Sequence, residues 1–227
     1  MLSKLLTSGL FAGAAAGLIT GLLQLFFVQP ILLQAELYES GALVHFGAVT
    51  AMPQPDLLGF DPVRDLLSIV FTMLTYTGYA MMMVALMLLA EERGAEVNVR
   101  TGILWGIAGF VAAHLAPAFS LAPEVPGAAA ADIGERQLWW FATVAAAAVA
   151  MWLLAFGRNW GIWGVAMILL FAPHLIGAPM PDGFFGLVPP EIAALFAARS
   201  LCVGLAGWVI LGCMAAYFLD KEQRLPD

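Results

Sequence analysis

Six apolar runs, each long enough to cross a lipid bilayer, lie at residues 5–29, 67–90, 101–121, 138–157, 160–178 and 199–219. A spanning helix needs about 20 mostly apolar residues, because each residue adds about 1.5 Å and the hydrocarbon core is about 30 Å thick. Only 11% of the chain is charged, against about 25% in an ordinary soluble domain, and the mean hydropathy is +0.91. These values exclude a soluble enzyme, a disordered chain and a secreted disulfide scaffold. The fold expected is an all-α integral membrane protein, a bundle of about six transmembrane helices forming a single transmembrane domain over residues 1–227. The first run is too long for a signal-peptide core, and Gln24 and Pro30 make no small-residue cleavage site. The fourth and fifth runs are joined by Arg158 and Asn159 alone, which predicts a tight helical hairpin. Pro173 and Pro179 interrupt the fifth.

Six spans place both termini on one side. That side carries Lys4, Arg93, Arg100, Arg158, Lys221 and Arg224, and the other carries Arg64, Arg136 and Arg199. The excess of basic residues orients both termini to the cytoplasm. Ten acids fall outside: Glu36, Glu39, Asp56, Asp61, Asp65, Glu124, Asp132, Glu135, Asp182 and Glu191. The outer loops are therefore net negative, a field that concentrates cations. The overall charge of −7 argues against a nucleic-acid partner, which would need a basic face.

Gly9, Gly13, Gly17 and Gly21 recur every four residues along one face of the first span. In lipid such a face brings another backbone close and drives helix association. Beyond Pro30 the chain reads as a kinked helical extension ending near Gly41, with Gln34, Glu36, Tyr38 and Glu39 at the outer interface. Thr72, Thr75, Tyr76 and Tyr79 share a face of the second span, where they either bond neighbouring backbone or line a polar path. Its methionines fill apolar gaps. Trp139 and Trp140 stand at an interface, as Trp belts do. Cys202 and Cys213 are about 16 Å apart on one helix, too far for a disulfide.

The three histidines carry the functional signal. His45 is in the first outer loop, while His114 and His174 lie inside outward-running spans at similar depth. Ionisable residues within a span are functional candidates by default. Each has prolines nearby. Pro117 removes the helical partner of the Ala113 carbonyl, and Pro173 and Pro179 do the same for Leu169 and Leu175. Freed carbonyls at membrane depth are oxygen donors for a cation. The candidate metal ligands are thus His114 and His174, with His45, Glu36, Glu39 and Glu124 as outer approach groups. The segments His114-Leu-Ala-Pro-Ala with Pro123-Glu-Val-Pro, and His174-Leu-Ile-Gly-Ala-Pro with Val188-Pro-Pro-Glu191, resemble one another as a parallel repeat.

There is no phosphate-binding loop, no His-Glu-x-x-His and no Gly-x-Ser-x-Gly, and no serine is expected to accompany the intramembrane histidines. The chain is expected to be neither an ATPase nor an intramembrane hydrolase, and to have no enzymatic role. The longest segment between spans is 30–66, so no second domain is expected.

The order of these motifs resembles the CbtA family of cobalt transporter subunits. The similarity rests on the glycine-rich first helix running into Gln29-Pro30 and Ala35-Glu-x-Tyr-Glu39, the His114 segment with Pro123-Glu-Val-Pro-Gly127, Arg136-Gln-x-Trp-Trp140, and Pro173-His-Leu-Ile-Gly-Ala-Pro179. The resemblance implies membrane transport of a divalent transition-metal cation, cobalt, with no resident cofactor. It also implies a small one-span, histidine-rich partner of the CbtB kind, since this chain has no histidine-rich tract. Imidazole serves cobalt, nickel, zinc and copper alike, so the residues do not select the metal. Two other classes fit the same residues: a haem-binding redox protein with His114 and His174 as axial ligands, and a non-transporting assembly subunit.

Overall fold

A computed structural model describes residues 2–45, 59 and 61–223. Among these the chain is helical: α1 (Leu2–Phe27), α2 (Gln29–Glu39), α3 (Pro62–Glu91), α4 (Val99–Phe110), α5 (Ala116–Ser120), α6 (Ile133–Phe156), α7 (Trp160–Ile176) and α8 (Pro190–Gln223), with a π turn at Val111–Leu115 joining α4 to α5. Five helices are long and apolar enough to cross a membrane: Leu5–Phe27, Pro62–Glu91, Val99–Ser120, Ile133–Phe156 and Pro190–Gln223. The remaining span expected, 160–178, is the 17-residue helix α7, at the lower limit of spanning length. The chain is an all-α membrane protein.

The helix starts are chemically defined. The Asp61 carboxylate accepts from Val63 N and Arg64 N at 2.9 and 3.1 Å, and Pro62 at the first position has no N–H to satisfy. Helix α3 therefore begins five residues before the apolar run at 67. Asp132 caps α6 in the same way, accepting from Gly134 N and Glu135 N, and Asn159 caps α7 through Ile162 N at 2.9 Å. Helix α8 begins at Pro190, nine residues before the apolar run at 199, so Glu191 lies in its first turn and not in a loop. The predicted helical extension is present: α1 ends at Phe27 and α2 restarts at Gln29 with Pro30 in its first turn.

The two proline-bearing spans depart from expectation. Before Pro117 the helix adopts a π turn instead of a simple kink. A π turn moves backbone pairing from the fourth to the fifth residue, which relieves the carbonyl facing a proline. Helix α7 ends at Ile176, with Gly177 at φ +97° donating its N–H to the Pro173 carbonyl at 3.1 Å. Pro179 lies beyond the helix and strips no helical partner from Leu175. The freed-carbonyl reading is corrected there; Pro173 alone lies inside α7.

The chain divides into two compact units: Met1–Phe26, Phe60–Phe110 and Cys202–Asp227 in the first, Phe27–Gly59 and Val111–Leu201 in the second. In the first unit, the glycine face of α1 lies against α3. A Cβ on Gly17 would sit 2.5 Å from the Met73 Cα, and one on Gly9 or Gly21 would sit 3.3 Å from the Cα of Met81 or Ile69. The contacted residues also recur every four positions, so two backbones run in register past each other. A second seam joins α4 to α8: a Cβ on Gly102 would lie 2.5 Å from the Gly212 carbonyl oxygen and 3.0 Å from the Cys213 Cα. The threonine hydroxyls of α3 bond neighbouring backbone. Thr72 and Thr75 donate to Ser68 O and Phe71 O at 2.9 Å each, Thr72 also meets Gln24 at 3.0 Å, and Tyr79 stacks on Trp208. Glu91 accepts from Gln223 at 2.7 Å, so the α3–α4 turn and the end of α8 lie on one side. Cys202 and Cys213 are free thiols.

In the second unit α6 and α7 form the predicted hairpin, and α6 also packs on the π turn and α5. The loop before α6 and the loop after α7 pair directly, through an Ala128–Gly186 bridge and an Ala129 N–H to Phe185 carbonyl bond at 3.0 Å. The chain that leaves this side along α6 therefore returns to it along α7. That return is the structural argument for α7 as a span despite its length. Ala35 of α2 buries with Val125 and Val188 of these loops, and Tyr38, Ile192 and Phe196 pack around them.

Candidate functional site

The loops that pair across Ala128 and Gly186 wall a cleft of about 780 Å³ in the second unit. Among the described residues its lining is largely alanine, proline and phenylalanine, with His45, Ser120 and Glu124 as the polar side chains. Clefts of this size with sparse, convergent polar groups are the usual form of binding sites. Two of the expected approach residues, His45 and Glu124, are thus brought to one cleft. Glu124 is salt-bridged to Nη2 of Arg136, whose Nε is buried with no hydrogen-bond partner among the described residues.

Behind this wall stands His174, on the last turn of α7. Its Nδ1 is 2.8 Å from the Ser120 hydroxyl oxygen. The ring edge meets Phe119 at 4.9 Å and Trp139 at 5.9 Å between centroids. Trp139 is itself fixed, since its indole N–H donates to the Pro173 carbonyl at 3.2 Å. The expectation that no serine accompanies the histidines is therefore overturned. Ser120 ends the span that carries His114, yet it serves His174, 54 residues away. Proximity in sequence gave no sign of it, because the pairing depends on how α5 and α7 pack.

His114 is half-buried on the π turn. It lies six residues before Ser120 on the same span, about 9 Å along the axis at helical rise. Ser120, and not His114, thus marks the level at which His174 makes its hydrogen bond. Glu36 is half-buried on α2, and Glu39 is exposed at its end, with its side chain against Gly127. A Cβ on Gly127 would lie 3.4 Å from the Glu39 Cγ, and Gly127 has φ +75°. Glu39 therefore borders the loop that carries cleft residues Ala128 and Ala129. Among the described residues no three His, Cys, Asp or Glu side chains gather as a metal centre. Of the candidates, His45 and Glu124 line the cleft, His174 meets the cleft residue Ser120, and His114 lies six residues before Ser120 on its span. Asp56, counted among the outer acids, and Arg224, counted among the basic residues of the opposite side, lie outside the described residues.

The sequence model of the CbtA family, described as "Probable cobalt transporter subunit (CbtA)", matches residues 2–220. No curated protein and no solved structure matches the chain.

Proposed function

The chain belongs to the CbtA family, and from that premise we propose that it is the membrane subunit of a cobalt uptake system, carrying a divalent cation inward past His174 and His114. The observation that carries this reading is the cleft with His45 and Glu124 on its wall and the clamped imidazole of His174 directly behind Ser120. A conducting path differs from a storage site. Each station must bind firmly enough to strip water from the ion and weakly enough to release it. One or two ligands at successive depths suit that requirement better than a closed site of four. The proposed orientation puts the cleft outside and both termini in the cytoplasm, following the basic-residue excess, in the bacterial inner membrane that the family resemblance implies. The family's "subunit" description points to further components, and a small one-span, histidine-rich protein fits that place. The chain acts in this reading by binding and release, not as an enzyme.

The test is uptake of radioactive Co²⁺ by cells expressing the chain alone and with such a partner, normalised to inserted protein. His174→Ala and His114→Ala should each reduce uptake, and His45→Ala should do so less, because Glu124 shares its wall. Full uptake in both intramembrane variants would make those histidines structural and move the path elsewhere. Reporter fusions at Arg93 and near Asp182 test the orientation; cytoplasmic signal at Asp182 would reverse it.

A further inference from the structure

We propose that Ser120 is a positioning residue for His174, holding its Nδ1 so that Nε2 is the nitrogen offered to the cation. This rests on the transport reading and adds to it a residue and a choice of ring nitrogen. An imidazole on a flexible side chain can present either nitrogen, and only an unprotonated one binds a metal ion. The Ser120 oxygen, 2.8 Å away, occupies Nδ1. The two ring nitrogens point away from each other, so the bond to Ser120 does not itself use Nε2. A serine hydroxyl both donates and accepts, with its hydrogen free to rotate. When a cation takes the Nε2 lone pair, Nδ1 carries the ring proton and donates it to Ser120. This is the arrangement in which a partner on one histidine nitrogen orients and strengthens the other as a metal ligand.

The surroundings favour a fixed ring. Phe119 and Trp139 meet it edge-on at interplanar angles of 66° and 63°. Trp139 cannot swing aside without giving up its bond to the Pro173 carbonyl, one residue from His174. Phe119 and Ser120 are adjacent on α5, so one helix end supplies both a packing edge and the hydrogen-bond partner. Ser120 also lines the cleft, which makes it the junction between the open wall and the imidazole behind it. Its place on the short helix after the π turn follows from Pro117, so the backbone irregularity of this span sets the register at which the hydroxyl meets α7.

The experiment uses the full chain in lipid nanodiscs, with its three histidines labelled with ¹⁵N and Zn²⁺ as a diamagnetic probe. His174→Gln identifies the His174 signals. On adding Zn²⁺, the Nε2 resonance of His174 should move while Nδ1 keeps its N–H signal. Ser120→Ala should weaken Zn²⁺ binding at His174 by about tenfold or more, the usual effect of losing such a partner, and raise KM for Co²⁺ uptake more than it lowers the maximal rate. Ser120→Thr, which retains the hydroxyl, should restore both. Zn²⁺ at Nδ1, or unchanged binding in a folded Ser120→Ala protein, overturns the positioning role and leaves the transport reading standing. A His174 that never responds to Zn²⁺, in a protein that still takes up Co²⁺, overturns it as well by removing that ring from the path. Absence of Co²⁺ uptake by the wild-type system strikes the transport reading itself, while the Zn²⁺ titration still reports on Ser120.

Discussion

Gly13 lies so close to Thr77 that a Cβ added to it would fall against the Thr77 Cα and stand 2.7 Å from its amide nitrogen. Backbone cannot move aside as a side-chain tip can. Gly13→Ala should therefore separate α1 from α3 and cost about 1–3 kcal/mol, the usual range for overpacking, and Gly13→Leu should abolish folded protein. Gly17→Ala should behave similarly, with the Met73 Cα at 2.5 Å, and Gly21→Ala should be milder, with its nearest atom at 3.3 Å. Gly78→Ala is the control, since nothing lies within 4 Å of its added Cβ. Thermal melting in one detergent ranks the four; equal melting of Gly13→Ala and Gly78→Ala would mean that α1 does not pack on α3 in this way.

The seam between α4 and α8 predicts a second sensitive pair. Gly106→Ala should drive a methyl into the Trp208 carbonyl and to 2.7 Å from the Val209 Cα, and Gly102→Ala into the Gly212 carbonyl at 2.5 Å. Both should lower the yield of monodisperse protein by more than Gly164→Ala, whose Cβ meets nothing within 4 Å. Comparable yields for all three would place α4 and α8 further apart.

These two seams show what a sequence makes legible. Four glycines at a spacing of four within one helix announce a packing face, because helical periodicity alone puts them in line. Gly102 and Gly106 share that spacing of four on α4, but their partner Gly212 lies on α8 about a hundred residues away, and no local period joins it to them. The same distinction governs the site. His114 and His174 stood out as ionisable groups within apolar runs, whereas Asp61 and Asp132 were legible only as outer acids and show their capping roles in the structure. Ser120 did not, because an ordinary serine gains its role only when α5 meets α7. Pro117 signalled a disturbed helix, but the choice between a kink and a π turn depends on packing around it. Helix α8 ran nine residues past its apolar stretch because Pro190 and the half-buried Ile192 and Phe196 extend it over the loop core at Val125 and Val188.

Arg199 offers a test of the α1–α2 junction. Ile31 N and Leu32 N both turn back to the Val28 carbonyl, which leaves the Phe27 carbonyl to be satisfied from outside the helix. Arg199 Nη1 donates to it at 3.2 Å. Arg199→Ala should cost about 1 kcal/mol, a typical net value for one hydrogen bond, seen as a lower melting temperature. Arg199→Lys should recover part of the loss, since an ammonium can donate to a carbonyl but has a different reach. Identical melting of Arg199→Ala and wild type would show that water serves the carbonyl equally well.

Glu124 is the residue whose structural and transport roles most need separating. It lines the cleft and is also the ion-pair partner of Arg136. Removing its charge therefore has two consequences: the cleft wall becomes less negative, and a part-buried guanidinium loses its counter-ion. Both side chains remain partly exposed, at 26% and 33%, so the pair itself contributes at most about 1 kcal/mol. Glu124→Gln should thus fold nearly normally while raising KM for Co²⁺ uptake several-fold, and the effect should shrink as salt screens the cleft. The exchange Glu124→Arg with Arg136→Glu keeps the pair and the net charge but turns the cation-facing group positive. If Glu124 guides the ion, the exchanged protein melts like wild type and transports poorly. Wild-type uptake in the exchanged protein would reduce Glu124 to a structural partner of Arg136, and leave His45 as the cleft group that meets the cation first.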